Sequence, residues 1–277
     1  MQQHPMLNIA IRAARRAGEV IVRSMNRLHQ LEVKRKERND FVTEVDLRAE
    51  SEIVAIIRNA YPDHGILAEE SGMSQSANGI KNAQGQDEYV WIIDPLDGTT
   101  NFIHGFPQFG VSIGLQRRGR MECAVIYDPL RQELFTATQG GGAQLDDRRI
   151  RVSQQPSLEG ALIGTGFPYR ANMQWIDAYM GMFKDLTQEA AGLRRPGAAS
   201  LDLAYVAAGR LDGFWELGLS PWDTAAGMLL ITEAGGRIST LDGGDYQHQG
   251  HVVAGNPKIH AALLTAIAAH IPAELRN

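Results

Sequence analysis

Apolar residues at Leu7, Ala10, Ala13, Ala14, Ala17, Val20 and Ile21 return every three or four positions, which lays one stripe along a helix. A second helical run from Leu47 to Ala60 carries Ile53, Ile56 and Ile57 on one side. Short strands are predicted over Gly65 to Ala68 and over the aromatic and β-branched run Tyr89 to Ile93. The polar stretch from Ser74 to Gln86 between them reads as a mobile surface loop. From Phe109 to Ala137 the period shortens to that of strands, with turns at Arg117 to Arg120 and Asp128 to Arg131, which predicts an antiparallel meander. Gly140, Gly141 and Gly142 then read as a turn rather than a nucleotide loop.

Beyond Leu158, predicted strands at Ala161 to Thr165, Gly213 to Glu216 and Val252 to Ala254 alternate with helices. The helices are expected over Met173 to Leu186, Ala199 to Ala208, Trp222 to Ala234 and Pro257 to Ala269, with Gly209 and Gly235 placed as C-terminal caps. Helices on a sheet followed by α/β alternation divide the chain near residue 150, into 1–150 and 151–277. No Pro-rich linker or low-complexity tract separates the halves, so they are expected to pack tightly as one catalytic unit.

Composition narrows the class. The 277 residues are 44% apolar and 21% charged, ordinary globular usage. A net charge of −5 gives no global attraction to nucleic acid or to an anionic membrane. Cys123 is the single cysteine, which removes an internal disulfide and a cysteine-based zinc site, and the eight scattered histidines do not supply one either. His248 and His251 read as loop or strand-edge residues. The arginine-bearing first 28 residues lack the apolar core of a signal peptide, and no stretch reaches the ~20 apolar residues of a membrane span. A cytoplasmic location is expected.

The candidate chemistry centres on Asp94-Pro95-Leu96-Asp97-Gly98-Thr99-Thr100-Asn101, directly after the apolar run. Pro95 brings no backbone donor and is expected to end strand pairing, leaving Asp94 at the strand end. Two carboxylates three positions apart suit a hard divalent cation, Gly98 lets the backbone approach a ligand, and Thr99 and Thr100 can open a helical turn that attracts an anion. Four further acidic residues fall at three junctions between extended segments or turns and helices. Asp46 stands just ahead of the second helix, Glu69 and Glu70 follow Ile66-Leu67-Ala68, and Asp223 sits in the first turn of the helix opened by Ser220-Pro221-Trp222. Taken singly, Asp46 reads as an N-cap, Asp223 as a helix-start charge, and Glu69 and Glu70 as a solvated strand end; the central loop alone has the layout of a magnesium-phosphate site. No Gly-x-Ser-x-Gly elbow or Cys-His pairing points to covalent catalysis.

The Asp94 to Asn101 motif, Ala68-Glu69-Glu70-Ser71-Gly72, Trp222-Asp223-Thr224-Ala225-Ala226-Gly227 and Glu233-Ala234-Gly235-Gly236 resemble, in order, the signatures of the inositol monophosphatase family. The likeness extends over nearly the full chain. Asn39-Asp40-Phe41-Val42-Thr43 and Asp202-Leu203-Ala204-Tyr205-Val206-Ala207-Ala208-Gly209-Arg210 resemble a bacterial branch of it most closely. The resemblance implies a layered αβαβα sandwich of α+β and α/β elements, and hydrolysis of a phosphate monoester, inositol 1-phosphate first, with fructose 1,6-bisphosphate and nucleotide 3'-phosphates as alternatives. It implies two or three Mg2+ ions on Glu69, Asp94, the Leu96 carbonyl, Asp97 and Asp223. Gly98 and Thr99 would bind phosphate, and Asp97, Gly197, Ala199, Glu216 and Asp223 would contact the substrate's hydroxyls. Glu69 and Thr99 would orient the attacking water, with Asp46 accepting its proton through Thr99. Two departures from the family pattern stand out: Ala68 replaces a glycine, and Pro196 in Arg194-Arg195-Pro196-Gly197 alters backbone freedom beside a substrate contact.

The family suggests a homodimer. Members of that bacterial branch also take part in transcription antitermination with RNA polymerase, Nus factors and ribosomal RNA leader sequences, a role that need not use the phosphatase site. Basic clusters that can serve it are Lys34-Arg35-Lys36 with Arg38, Arg117-Arg118 with Arg120, Arg148-Arg149 with Arg151, and Arg194-Arg195.

Overall fold

The structure is a computed structural model that describes residues 4–30, 33–37, 40–76, 79–81, 85, 87–168, 170–248 and 250–275. Helix α1 (Pro5–Met25) begins on a proline at the one turn where its missing N–H costs nothing, and buries Ala10, Ala13, Ala14, Ala17, Val20 and Ile21. A hairpin of β1 (Val33–Glu37) and β2 (Asp40–Thr43) leads into α2 (Glu44–Ala60), whose N-cap is Thr43. Strands β3 (Gly65–Ala68), β4 (Gly72–Ser74) and β5 (Tyr89–Asp97) follow, then the short helix α3 (Thr99–Ile103). Next come β6 (Gly110–Arg117), β7 (Arg120–Asp128), β8 (Glu133–Thr138), β9 (Gly142–Leu145) and β10 (Arg148–Arg149). These strands form an eight-stranded sheet in the order β10-β9-β8-β7-β6-β5-β3-β4, antiparallel except where β3 runs parallel to β5. The expected meander is its centre, and the glycine turn joins β8 to β9.

The rest of the chain supplies β11 (Leu162–Thr165), α4 (Ile176–Glu189), β12 (Gly192–Arg194), α5 (Ala199–Ala207), β13 (Gly213–Leu219) and α6 (Pro221–Glu233). It closes with β14 (Arg237–Ser239), β15 (Gly250–Gly255) and α7 (Pro257–Ile267). The five strands pair as β12-β11-β13-β15-β14, with β11 parallel to both its neighbours. Helices α1 and α2 cover one face of the large sheet, α5 and α6 lie between the two sheets, and α4 and α7 cover the outer side of the small one. The layers therefore run α-β-α-β-α. The pattern of burial explains why α1 reads as amphipathic and α5 does not. Ala199, Leu201, Leu203, Ala204, Val206 and Ala207 are all buried in α5, because a helix between two sheets has no solvent side.

Three expectations change. Pro95 does not end β5: the register shifts between Asp94 and Asp97, and pairing resumes at Asp97 opposite Gly110. The irregularity lets the strand step past a residue with no donor, so Asp94 lies within the strand rather than at its end. Asp46 is the third residue of α2, not a residue ahead of it, and Thr43 takes the N-cap position. The helix expected from Met173 starts at Ile176, after a 3-10 turn over Arg170–Trp175. Gly209 and Gly235 do end their helices, with φ of 69° and 87° that only glycine adopts without strain. Part of the segment read as a mobile loop, residues 77–78, 82–84 and 86, lies outside the described residues. Its described flanks are tied to Asp87, which accepts the Ser76 N–H at 2.9 Å and pairs with Lys81. Among the described residues, no helix is long and apolar enough to cross a membrane.

Close approach of α5 and α6 depends on Gly227. A Cβ at that position would stand 2.6 Å from the Cβ of Leu203, inside any real contact distance. Gly227→Val is expected to destabilise the fold by about 1–3 kcal/mol through overpacking, and a urea unfolding curve with an unchanged midpoint would refute that tight seam.

Candidate active site

The end of β5 sets the site. Asp94 is 2% exposed, and its Oδ1 accepts the Leu96 N–H at 3.0 Å, which folds the chain back on itself beyond Pro95. Gly98 holds φ at 91°, and a Cβ there would lie 2.9 Å from the Gln108 carbonyl, so glycine is required on both conformational and steric grounds. Thr99 opens α3 with its Oγ1 at 2.8 Å from Asp46 Oδ1 and 3.0 Å from the Leu96 carbonyl. One hydroxyl hydrogen serves one of these acceptors at a time. Asp46 is buried behind Thr99 and uses its other oxygen to accept the Thr43 N–H and hydroxyl.

The second half of the chain supplies the opposite wall. Asp223 rides in the first turn of α6, where Pro221 starts the helix and the Ser220 N–H donates to Asp223 Oδ2 at 2.7 Å. Asp97 Oδ2 accepts both the backbone N–H (2.8 Å) and the hydroxyl (2.5 Å) of Ser200 in α5. Glu69 follows β3, its N–H donating to the Ile93 carbonyl at 3.1 Å, and the next residue's N–H donates to Glu50. Asn101 Nδ2 reaches the carbonyls of Pro196 (2.9 Å) and Gly197 (3.2 Å), fastening that turn to the β5 loop.

These groups surround a cleft of about 510 Å3 lined by Glu69, Asp94, Asp97, Thr99, Glu216 and Asp223, with Leu96, Gly98, Gly197 and Ala199 also on its walls. Of the acidic residues singled out from the sequence, Asp46 and Glu70 are not on its wall. Carboxylate oxygens of Asp94, Asp97 and Asp223 all lie within 4.8 Å of one another, a spacing that one cation can bridge. Glu69 lines the same cleft, and its charge acts on Asp94.

Burial dominates the electrostatics. It pushes the Asp94 carboxyl well above the usual range, and the charges of Glu69, Asp97 and Asp223 push it further. Asp97 is raised to about 6 by burial, against the opposing hydrogen bonds from Ser200. Glu216, on β13, is raised to about 8 by burial and by Asp223. Asp46 is raised by burial too, less so because Thr43 and Thr99 donate to it. For Asp94 and Asp97 burial outweighs the hydrogen bonds that favour ionisation, and the all-oxygen donor set is that of a hard divalent ion.

Sequence reading gave no place in the cleft to Ser200, Asn101, Asp202, Phe167 or Arg195. Asp202 is 1% exposed with Oδ1 lacking a hydrogen-bond partner among the described residues, and Arg195 lies over the Phe167 ring at 5.1 Å on the cleft wall. A signal was present for two of them: serine and aspartate inside the apolar run of α5 are out of place unless something buried needs them. His251 is on β15, an interior strand rather than an edge, and its Nδ1 accepts the Gly218 N–H at 3.1 Å. His248 is a buried loop residue. Of the basic clusters, Arg117 and Arg118 pair with Glu88, while Arg38 and the side chains of residues 34–36 lie outside the described residues.

A layered sandwich with an acidic cleft at the end of β5 defines a class that comparison identifies. The inositol monophosphatase family model matches residues 2–272, and the chain belongs to that family. It is 57% identical over 275 residues to the Nus factor SuhB of Pseudomonas aeruginosa, spanning 99% of both chains. With the Nus factor SuhB of Escherichia coli K12 it shares 51% identity over 263 residues, 94% of this chain and 95% of that one. Its fold matches the extragenic suppressor protein suhB from Bartonella henselae with a TM-score of 0.89 at 41% identity, covering 95% of this chain and 98% of the other. A Thermotoga maritima IMPase matches at TM-score 0.85 and 31% identity, over 98% and 100% of the two chains.

Glu216 makes the electrostatics testable. Its value near 8 in the folded protein lies above the 4.5 of an unperturbed glutamate, so the folded state keeps a proton that the unfolded chain releases. The stability this contributes is complete below 4.5 and is lost as pH rises through about 8. Glu216→Gln without divalent ions is expected to be more stable than the parent at pH 9, with the two converging near pH 5. Parallel urea midpoints across that range would contradict the assignment.

Proposed function

We propose that the protein is a magnesium-dependent phosphate monoester hydrolase with inositol 1-phosphate as its preferred substrate, working in the cytoplasm as a homodimer whose halves 1–150 and 151–277 act as one catalytic unit. The observation that carries this reading is the convergence of the Asp94, Asp97 and Asp223 oxygens within 4.8 Å on the wall of one cleft. Glu69, Asp94, the Leu96 carbonyl, Asp97 and Asp223 would hold two or three Mg2+ ions. Bound there, magnesium acidifies water and neutralises the charge of the phosphoryl group and the leaving alkoxide.

The chain's own residues do the rest. Backbone N–H groups of Gly98 and Thr99, at the start of α3, face the phosphate oxygens. The Thr99 hydroxyl donates to Asp46 Oδ1 at 2.8 Å and its lone pair would face the attacking water. Glu69 orients that water from the other side. The proton it loses passes through Thr99 to Asp46, whose burial-raised affinity suits a proton acceptor. Glu216 is protonated near neutral pH and can donate to a hydroxyl of the polyol, while Asp97, Gly197, Ala199 and Asp223 line the same region. Fructose 1,6-bisphosphate and nucleotide 3'-phosphates share the phosphate group and differ only in what meets this wall. In a magnesium-dependent phosphate-release panel, inositol 1-phosphate should be turned over fastest of the three, and Asp97→Asn should lose roughly 100-fold or more of kcat. Equal metal-independent turnover by parent and variant would end the hydrolase reading.

A second role is supported by the names of the relatives at 57% and 51% identity, both called Nus factor SuhB. We propose that the chain also joins an antitermination complex with RNA polymerase, Nus factors and leader RNA through surface groups remote from the cleft. A salt-sensitive complex with these components that survives Asp94→Asn supports this role; loss of the complex in that variant ties it to the metal site instead.

A further inference from the structure

Asp97 is held in an unusual way for a carboxylate in an acidic cluster. One side chain from the opposite half of the chain, Ser200, spends both its backbone N–H and its hydroxyl on the same oxygen, Oδ2, across 103 residues of sequence. The Ala199 N–H is also directed at this carboxylate. Ser200 is fully buried in α5, flanked by Ala198, Ala199, Leu201 and Leu203, all themselves buried. A hydroxyl placed there is costly unless it is hydrogen-bonded, and Asp97 is the acceptor it has found. An alanine would suit the apolar surroundings and keep the backbone bond. Packing therefore does not account for the serine.

What the second donor adds is orientation. A carboxylate bonded through one N–H can rotate, and among Asp94, Asp223 and Glu69 it would turn away from its like-charged neighbours. The two donors from Ser200 hold Oδ2 toward α5, while the carboxylate stays within 4.8 Å of oxygens of Asp94 and Asp223. We propose that Ser200 is a positioning residue: by pinning Oδ2 of Asp97 it presents Oδ1 as a preformed ligand, and so sets the affinity of the Asp94, Asp97 and Asp223 group for a magnesium ion. This rests on the reading of Asp97 as a metal ligand. Partners of ligating carboxylates commonly change metal affinity by 10–100-fold when removed.

The test is calorimetric titration of Mg2+ into the metal-free full-length protein, for the parent, Ser200→Ala, Ser200→Thr and Ser239→Ala. Ser239 is a buried serine whose hydroxyl donates to the Thr240 carbonyl, and it controls for loss of a buried hydroxyl as such. Ser200→Ala is expected to weaken one class of Mg2+ binding about tenfold, Ser200→Thr to restore it, and Ser239→Ala to leave it unchanged. In turnover, the magnesium concentration for half-activation should rise for Ser200→Ala, with KM for substrate at saturating magnesium unmoved. Saturable binding by the parent with an identical Ser200→Ala isotherm would overturn the role of Ser200 while leaving the metal reading intact. Equal weakening in Ser200→Ala and a folded Ser200→Thr would overturn the hydroxyl as the cause. No saturable binding by the parent overturns the metal reading itself, and the proposal with it.

Discussion

Like charges that fold into one place must be held there, and this requirement organises the protein. Asp94, Asp97 and Asp223 are brought within bridging distance of one another with Glu69 nearby, and burial and mutual repulsion both raise the energy of their ionised forms. The scaffold answers with hydrogen bonds to the far side of each carboxylate. Leu96 donates to Asp94, Ser200 to Asp97, and the Ser220 N–H to Asp223. Each acid thus has one oxygen held by the scaffold while it lines the cleft. A divalent cation placed among them removes the repulsion, which is why a site so unfavourable when empty suits a metalloenzyme.

The grip is possible because of where the layers meet. Glu69 and the β5 loop belong to the eight-stranded sheet; Ser200 and Asp223 belong to helices packed between that sheet and the five-stranded one. Both α5 and α6 direct their N-terminal turns at the cleft, where free backbone N–H groups and the helix dipole favour carboxylates. The close seam at Gly227 sets the separation of the two helices, and through it the distance between Asp97's clamp and Asp223. Stability and chemistry are coupled at this seam: core packing fixes ligand geometry.

The register shift in β5 shows the same economy at smaller scale. A strand that paired without interruption would place alternate side chains on opposite faces. Stepping past Pro95 lets Asp94 and Asp97, three residues apart, both turn to one cleft, and the left-handed Gly98 then releases the chain into α3. Thr99, first in that helix, meets Asp46 from a capping turn 53 residues earlier, so that the two groups proposed to orient water and accept its proton come from two separate helix starts.

Much of this was legible in the chain itself. Period and turn chemistry predicted the two leading helices, the meander, the α/β alternation and the two glycine caps, because these depend on local propensity and on which side of an element is buried. The Asp94 to Asn101 motif was legible for the same reason: its two clustered carboxylates are neighbours in sequence. The strand continuing through Pro95 and the place of Asp46 inside its helix were not read, although Gly110 and Thr43, which set them, are near in sequence. The services of Ser200 and Asn101 rest on partners 103 and 95 to 96 positions away, and no local pattern records which distant group will accept or donate a hydrogen bond. Residue types and spacing determined what chemistry this chain can attempt; only the packing of α5 and α6 between two sheets decided which carboxylates meet, which oxygens remain open, and how tightly they are held.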